Sequence, residues 1–241
     1  MSDEAAWENR RTAFGVAAED YARGRPSYPV DAITWALPLG ARRVLDLGAG
    51  TGRLTETLLA LGMDVVAVEP LPDMRRHIPA PAEALEGTAE AIPLPDASVD
   101  AVVAGQAFHW FDIPRAMAEI HRVLRAGGTV GLFWNMLDDR DPWVAAFATT
   151  IAAEERLSAM PGGDPPYRDV AGMSEPEQRM FPNIERYDAD RLAAFVRSRS
   201  QTILLPADER DALLRTVREL APKGELSLAL VCEGWRGART D

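Results

Sequence analysis

Along residues 43–135, short apolar runs of the kind found in strands alternate with segments in which apolar residues have helical spacing. The strand-like runs lie at residues 44–47, 64–69, 99–105 and 129–135. Between them, apolar residues recur every three or four positions, as at Leu54, Leu58 and Leu61, which places them on one helix face. This alternation predicts an α/β fold with a doubly wound parallel sheet.

Flanking segments add further helices and one more strand. The predicted helices lie at residues 31–40, from 113 to the glycines at 127 and 128, at about 142–158, near 189–198 and at 208–220. A final strand is predicted at residues 226–235. Loops rich in Asp, Pro and Gly interrupt residues 137–182, and because long loops usually carry function, we expect this insertion to cover the substrate.

The most informative stretch runs from residue 44 to 58, where a strand breaks into Gly48, Gly50 and Gly52 before helical spacing resumes. Glycines let a ligand lie directly against the backbone, and the following helix points free N–H groups at it. A dinucleotide-binding loop needs its third glycine at the position that Arg53 occupies. The turn therefore predicts a ligand site, but the spacing disfavours an NAD-dependent oxidoreductase.

Composition narrows the class of protein further. The 241 residues, 47% of them hydrophobic, suffice for one large domain, and the formal net charge of −11 argues against nucleic acid as a partner. Cys232 is the only cysteine, which excludes an intrachain disulfide and a cysteine-rich metal site. No stretch is long and apolar enough to span a membrane, so we expect a cytoplasmic protein. We also expect a monomer or a homodimer.

The segment from Asp46 to Gly52 reads D-x-G-x-G-x-G and resembles motif I of class I S-adenosylmethionine-dependent methyltransferases. The resemblance implies a Rossmann-like, seven-stranded sheet whose last strand is antiparallel, with S-adenosylmethionine as cofactor and no metal. It places Asp46 near the methionine end of the cofactor and Gly48 and Gly50 beneath it. Glu69, which closes the second strand, is implied to bind the ribose hydroxyls.

Residues 14–29 match the pattern F-x-x-x-A-x-x-Y-x-x-x-R-P-x-Y-P, which resembles the opening of small-molecule methyltransferases. The resemblance implies an N-terminal helical lid arm, residues 1–29, before a methyltransferase domain at residues 30–241. Tyr21 and Arg25 are then candidates for binding the cofactor, and Tyr28 for bordering the acceptor. Ordinary packing of a helix and a Pro-rich connector explains the same residues equally well.

Two further turns are implied to hold the adenine ring. After Glu69, the resemblance places an apolar residue, Leu71 or Met74, against the ring. Residues 87–95 are similar to the family's G-D-A-E-x-L-P turn, and the implied adenine contacts are Thr88, Ala89 and Glu90. Because Thr88 replaces the family's acid, the contact to the exocyclic amine is weaker and shorter in reach than a carboxylate gives.

The run His109-Trp110-Phe111-Asp112 follows the strand at 99–105 and resembles the trans-aconitate methyltransferase-like branch, which methylates small organic molecules. His109 has the chemistry of a general base for a hydroxyl acceptor. The alternative is a histidine that caps or packs the next helix. Tyr21 or Trp110 is a candidate for stabilising the cationic methyl group.

These expectations combine into a hypothesis: a methyltransferase that modifies a small organic molecule, on oxygen in preference to nitrogen or carbon. The proposed acceptor pocket involves loops after Asn135 and the following side chains: Tyr21, Tyr28, Gln106, His109 and Trp134. Gln106 is also a candidate cofactor contact, and Arg25 and Arg199 are candidates for binding a substrate carboxylate. A protein that binds S-adenosylmethionine without methyl transfer is the alternative that the sequence leaves open.

Overall fold

A computed structural model of the chain describes residues 18–153, 157, 165–221 and 224–241. Two compact units make up the fold. Unit 1 contains the described residues within 1–26, 136–160 and 184–231. Unit 2 contains the described residues within 27–135, 161–183 and 232–241. The predicted boundary at residue 29 and the predicted covering insertion at 137–182 stay predictions.

The sheet has seven strands. In chain order they are β1 (Arg43–Leu47), β2 (Asp64–Val68), β3 (Glu83–Leu85), β4 (Val99–Gly105), β5 (Leu124–Leu137), β6 (Glu177–Tyr187) and β7 (Leu226–Ala238). Their order in the sheet is β3-β2-β1-β4-β5-β7-β6. Pairing from β3 through β5 is parallel, and the last strand is antiparallel, which confirms the predicted fold.

The direction of strand order reverses between β1 and β4, which are neighbours in the sheet. In an open parallel sheet, ligands bind outside the carboxyl ends of the strands at this reversal. The glycine turn follows β1, and Gln106 follows β4. The topology therefore brings these two segments to the expected ligand-binding edge of unit 2.

Helices connect the strands. They are α1 (Ala18–Gly24), α2 (Val30–Ala36), α3 (Arg53–Ala60), α4 (Pro72–Arg75), α5 (Ile113–Val123), α6 (Pro142–Thr150), α7 (Ala189–Arg197), α8 (Ser200–Ile203) and α9 (Ala207–Leu220), with a short 3-10 turn at Phe108–Trp110. Asp112, Asp141 and Asp188 cap α5, α6 and α7 by accepting hydrogen bonds from backbone N–H groups of the first turn.

Both faces of the parallel sheet are buried in unit 2. Alternate residues of β1 enter different apolar clusters, Leu45 and Leu47 on one face and Val44 on the other. Such two-sided burial explains why the strands have continuous apolar runs and no alternation of apolar and polar residues. In unit 1, α6, α7 and α9 pack in a separate apolar cluster around Phe147 and Leu192.

Some element boundaries differ from the predictions. Helix α2 ends at Ala36 because Leu37, which precedes a proline, is extended with φ −78° and ψ 142°. Helix α5 ends at Val123, and Leu124 already pairs with Val99, so β5 starts five residues before the predicted strand at 129–135. Helix α6 ends at Thr150, short of the predicted residue 158.

Two strands lack the apolar run that identifies buried strands in a sequence. Strand β3 has only three residues, and its first two side chains are exposed. The first four residues of β6, from Glu177 to Met180, are exposed as well. Both strands lie at the edges of the sheet, where side chains need not be apolar.

Within unit 1, helix α1 of the predicted lid arm packs closely against α7. A Cβ atom on Gly24 would lie 2.2 Å from the backbone nitrogen of Phe195, so only glycine permits this approach. Asp20 accepts two hydrogen bonds from the Arg197 guanidinium, at 2.7 and 2.8 Å. Residues 1–17, with Trp7 and Phe14, lie outside the described residues, and the lid role stays a prediction.

Candidate active site

The glycine turn after β1 has a conformation that other residues rarely adopt. Gly48, Gly50 and Gly52 have φ angles of 70°, 58° and 88°. The N–H groups of Gly48 and Ala49 donate to the Val68 carbonyl oxygen, at 2.9 and 3.1 Å. A Cβ atom on Gly48 would lie 2.8 Å from the Cβ of Ala107. The turn is thus held tightly against β2 while its backbone stays bare of side chains at these positions.

Asp46, the last acid before the turn, is 1% exposed. The Thr55 hydroxyl donates to its Oδ2 at 2.6 Å. The other oxygen, Oδ1, is buried and has no hydrogen-bond partner among the residues that the structure describes. Desolvation raises the pKa of Asp46 to about 7, and the nearby charge of Glu69 adds to this rise, although the Thr55 hydrogen bond opposes it. A cationic donor at Oδ1 would satisfy this oxygen and stabilise its charge.

Glu69 connects the glycine turn to the end of β2. Glu69 is 6% exposed, and its carboxylate accepts hydrogen bonds from the N–H groups of Gly50 and Leu71, both at 2.9 Å. Each N–H group binds a different carboxylate oxygen, and an ionised carboxylate has about four acceptor positions in total. The backbone therefore fixes the carboxylate at the carboxyl end of β2, next to the glycine turn.

This part of the site also contains two threonines, Thr51 and Thr55, which the sequence pattern does not single out. Thr55 lies in the first turn of α3 and orients the Asp46 carboxylate. Thr51, between two glycines of the turn, is 2% exposed, and its hydroxyl is buried without a hydrogen-bond partner within the described ranges. The only available signal is a hydroxyl residue inside a glycine-rich turn, which is too common to be diagnostic.

The geometry fits S-adenosylmethionine. The buried Asp46 Oδ1 is an acceptor suited to an ammonium group, and the bare glycine turn allows close approach by a ligand. The carboxylate of Glu69 suits a pair of hydroxyl groups. These are features of the described residues, and the roles of Asp46, Gly48, Gly50 and Glu69 toward the cofactor stay predictions.

The residues predicted to hold adenine differ in burial and in their contacts. Met74 in α4 and Ala89 are 4% and 3% exposed, so both lie within the packed interior of unit 2. Leu71 is half-buried directly before α4, and Thr88 forms an isolated bridge with Ala91. A separate contact links this turn to the next motif, because Glu90 accepts a hydrogen bond from the Asp112 N–H at 2.9 Å.

The predicted acceptor residues of unit 2 lie at the carboxyl ends of β4 and β5. Gln106 has a φ of 55°, unusual for a residue with a side chain, and its Nε2 donates to the Asn135 carbonyl oxygen at 2.8 Å. The rings of His109 and Trp110 have centroids 5.0 Å apart. Trp134 lies near the carboxyl end of β5, and its indole contacts His109. The structure thus brings together four of the predicted residues.

The contact between Trp134 and His109 affects the proposed base. The indole Nε1–H donates to Nδ1 of His109 at 3.4 Å, a long hydrogen bond. When Nδ1 accepts, the proton of the neutral ring is on Nε2, so the basic lone pair is the one that Trp134 contacts. His109 is exposed and close to the expected ligand edge. A base role through Nδ1 requires this hydrogen bond to open for the acceptor.

Tyr28 also belongs to unit 2 and is 7% exposed. Its ring lies 6.2 Å from that of Phe133, measured between centroids. A Cβ atom on Gly105 would lie 2.4 Å from the Tyr28 hydroxyl oxygen. The tyrosine therefore occupies space that only a glycine at the end of β4 leaves available.

The other predicted residues belong to unit 1. The Arg25 guanidinium lies 4.9 Å from the centroid of the Tyr21 ring, and its Nη2 donates to the Ser198 carbonyl oxygen at 3.0 Å. Arg199 is 2% exposed, and its Nη2 donates to Gln201 at 3.4 Å. Their roles toward cofactor or substrate stay predictions.

Within the described ranges, no helix is long and apolar enough to cross a membrane. The same residues contain no group of three or more His, Cys, Asp or Glu side chains placed to hold a metal ion.

Comparison with known proteins places the chain among enzymes of one class. A family described as "Methyltransferase domain" matches residues 45–132. An uncharacterized methyltransferase of Mycobacterium tuberculosis is 46% identical over 220 residues, which cover 86% of this chain and 85% of the relative. A malonyl-[acyl-carrier protein] O-methyltransferase of Methylococcus capsulatus is 36% identical over 141 residues, or 48% of this chain and 50% of the relative.

The fold has a counterpart among solved structures. A candidate type II methyltransferase from Anaeromyxobacter dehalogenans superposes with a TM-score of 0.62 at 23% sequence identity. The match covers 90% of this chain and 98% of that structure. At this sequence identity, the match shows a shared fold and nothing about the acceptor.

Proposed function

The chain belongs to the class I S-adenosylmethionine-dependent methyltransferases, and on that premise we propose that it methylates an oxygen atom of a small organic acceptor. The observation that carries the proposal is the lining at the carboxyl ends of β4 and β5. Gln106, His109, Trp110 and Trp134 offer aromatic faces and an amide, which suit a planar or largely apolar acceptor.

The net charge of −11 supports a small acceptor over a nucleic acid, because a groove for phosphates needs a basic face. The oxygen target is supported by the Methylococcus capsulatus relative, which is named an O-methyltransferase. That match covers 48% of the chain, so the proposal takes from it the oxygen target and not the carrier-protein acceptor. A cytoplasmic location and a monomeric or dimeric state remain part of the proposal.

The cofactor supplies an electrophilic methyl group on a sulfonium centre. In the proposed mechanism, the Asp46 carboxylate binds its ammonium group, and Glu69 binds the ribose hydroxyls. The glycine turn allows the cofactor to lie against the backbone. Met74, Ala89 and Leu71 are proposed to border the adenine, with polar contacts from Thr88 and Glu90.

Most of the rate enhancement is proposed to come from alignment of the acceptor oxygen behind the methyl group. Gln106 is held by Asn135 and offers its remaining amide hydrogen and its oxygen for orientation of the acceptor. His109 is proposed to take the proton from a hydroxyl acceptor. A carboxylate acceptor needs no base, so the importance of His109 reports which kind of oxygen is methylated.

A screen for consumption of S-adenosylmethionine tests the proposal. Small carboxylic acids, phenols and amines are assayed beside RNA and protein extracts, and products are identified by mass spectrometry. The Asp46→Asn variant is the background control, since it is expected to bind cofactor poorly. Oxygen methylation of a small acid or phenol is expected. Turnover confined to RNA or protein fractions, or methylation only on nitrogen or carbon, would contradict it.

A further inference from the structure

Two buried amides and one backbone carbonyl meet where the chain enters and leaves unit 2. Ser27 opens the first segment of this unit, Asn135 closes that segment, and Asn183 closes the next one. Asn135 lies in β5 and Asn183 in β6, whereas Ser27 lies in the connector before α2. These residues are far apart in sequence, so their meeting is a product of the fold.

The Ser27 carbonyl oxygen is the centre of the group. Asn135 Nδ2 donates to it at 2.9 Å, and Asn183 Nδ2 donates to it at 3.0 Å. Asn183 Nδ2 also donates to Asn135 Oδ1 at 3.0 Å. A carbonyl oxygen has two lone pairs, and both are used here. The two amides thus hold one another as well as the backbone of Ser27.

Burial makes these contacts consequential. Asn135 is 5% exposed and Asn183 is 6% exposed, so neither amide has ready access to water as a substitute partner. A buried donor or acceptor that loses its partner bears its full desolvation cost, because no water replaces the lost hydrogen bond. Removal of the Asn183 donor would leave Asn135 Oδ1 without this partner and the Ser27 carbonyl with one donor fewer.

The Ser27 carbonyl belongs to the peptide unit that precedes Tyr28, and Tyr28 contacts the carboxyl end of β4, where the acceptor is proposed to bind. Tyr28 follows Ser27, and its ring lies against Gly105, the last residue of β4. The next residue, Gln106, donates to the carbonyl oxygen of Asn135. Asn135 therefore binds Ser27 through its side chain and Gln106 through its backbone carbonyl oxygen.

We propose that Asn183 is a positioning residue for methyl transfer: through the Ser27 carbonyl, it holds Tyr28 against Gly105 beside the acceptor. The proposal rests on the proposed function, since it takes the carboxyl ends of β4 and β5 as the acceptor site. Asn183 itself is proposed to touch neither the cofactor nor the acceptor. Its effect is on the placement of Tyr28 and, through Asn135, of Gln106.

The test uses Asn183→Asp, which has the same shape but replaces the amide donor by an acceptor facing two oxygens. Asn183→Ser, which keeps a shorter donor, is the milder variant if the first folds poorly. Ile184→Ala is the matched control, because Ile184 is the next residue of β6 and its side chain is 69% exposed.

The first readout needs no acceptor. Hydrogen exchange of the peptide that contains Ser27 and Tyr28 is expected to be at least threefold faster in Asn183→Asp than in the wild type, and unchanged in Ile184→Ala. Peptides from β1 and β2 are expected to exchange as in the wild type. Unchanged exchange at Ser27 and Tyr28 in a folded variant would overturn the proposal.

The second readout separates positioning from general damage. With the acceptor that the consumption screen identifies, Asn183→Asp is expected to lower kcat/KM about tenfold, mainly through the KM for acceptor. The Kd for S-adenosylmethionine is expected to stay within about twofold of wild type, and Asn183→Ser is expected to recover part of the loss. Equal losses in cofactor and acceptor binding would indicate a merely structural role.

Failure of the two proposals is distinguishable. If only RNA or protein is methylated, the small-molecule function fails, and the exchange experiment still reports whether Asn183 holds Tyr28. If a small acceptor is methylated and Asn183→Asp matches wild type in both readouts, the function stands and the positioning role fails.

Discussion

The two ends of the candidate site in unit 2 are built differently. At the ends of β1 and β2, Asp46 and Glu69 are buried, and backbone or hydroxyl groups fix their carboxylates at 2.6 to 2.9 Å. At the ends of β4 and β5, His109 is exposed, and its contact with Trp134 is a long hydrogen bond of 3.4 Å. The two carboxylates of the first end are thus held by shorter hydrogen bonds than the one that joins His109 and Trp134 at the second.

The difference explains why the acceptor is harder to infer than the cofactor. A site made by a turn and two carboxylates depends on glycines and acids at set spacing, which a sequence displays directly. A site made by aromatic and amide side chains depends on rotamers and on neighbours from distant strands. Substitutions at the two ends should therefore affect different steps: those at the acceptor end change turnover, and those at the cofactor end change cofactor binding.

The largest effect is expected at the acceptor end. If the acceptor is a hydroxyl, His109→Ala should lower kcat by roughly 10²- to 10⁴-fold, the usual contribution of a general base. His121→Ala is the control. His121 lies in α5, its ring pairs with Asp241 at 2.8 Å, and it is not one of the proposed site residues. A loss below threefold with a hydroxyl acceptor would remove the base assignment.

At the cofactor end, Asp46→Asn should weaken binding of S-adenosylmethionine by roughly 10- to 150-fold. Charge-assisted hydrogen bonds in buried sites contribute about 1.5–3 kcal/mol, and the amide cannot supply the charge. Isothermal titration calorimetry gives the Kd. Asp64→Asn is the control, since Asp64 forms an exposed ion pair with Arg43 at the far end of β2. A Kd within threefold of wild type would exclude Asp46 from the cofactor site.

A smaller effect is expected at Glu69. Glu69→Gln keeps one good acceptor oxygen but forces an amide NH₂ toward the N–H of Gly50 or of Leu71, which both donate to the carboxylate. Binding should weaken about tenfold, which corresponds to about 1.4 kcal/mol. Competition by adenosine, which has the ribose but lacks the methionine part, should weaken in parallel. Unchanged adenosine binding would indicate that Glu69 does not bind the ribose.

The smallest effect is expected for Trp134→Phe. This change keeps an aromatic face but removes the N–H that contacts His109 Nδ1. A long hydrogen bond contributes about 0.5–1 kcal/mol, so kcat/KM for the acceptor should change about two- to fivefold. The Kd for cofactor should not change. A hundredfold loss in a folded protein would mean that the indole binds the acceptor directly.

The same contrast describes how far the sequence predicted the structure. Buried strands and the glycine turn were predicted because their patterns are local, and the doubly wound sheet is confirmed. Strand β6 was missed because an edge strand with exposed residues lacks an apolar run. Thr55 and Asn183 were missed for another reason: each is an ordinary polar residue until the fold places it against Asp46 or Ser27.

If the buried Asp46 carboxylate binds the cationic end of the cofactor as proposed, binding should be coupled to the release of a proton from this carboxyl. Because burial raises the pKa of Asp46 to about 7, much of this carboxyl is protonated in the free protein at pH 6. A bound ammonium favours the ionised form, so binding should release protons below pH 7. Affinity should then rise with pH from 5.5 to 7, by at most about tenfold per unit, and level off above.

Calorimetry of S-adenosylmethionine binding at pH 6, in two buffers with different ionisation enthalpies, measures the number of protons released. The wild type is expected to release a substantial fraction of one proton, and Asp46→Asn is expected to release none. Equal binding enthalpies in the two buffers for the wild type, with a Kd that does not change between pH 5.5 and 7, would contradict it.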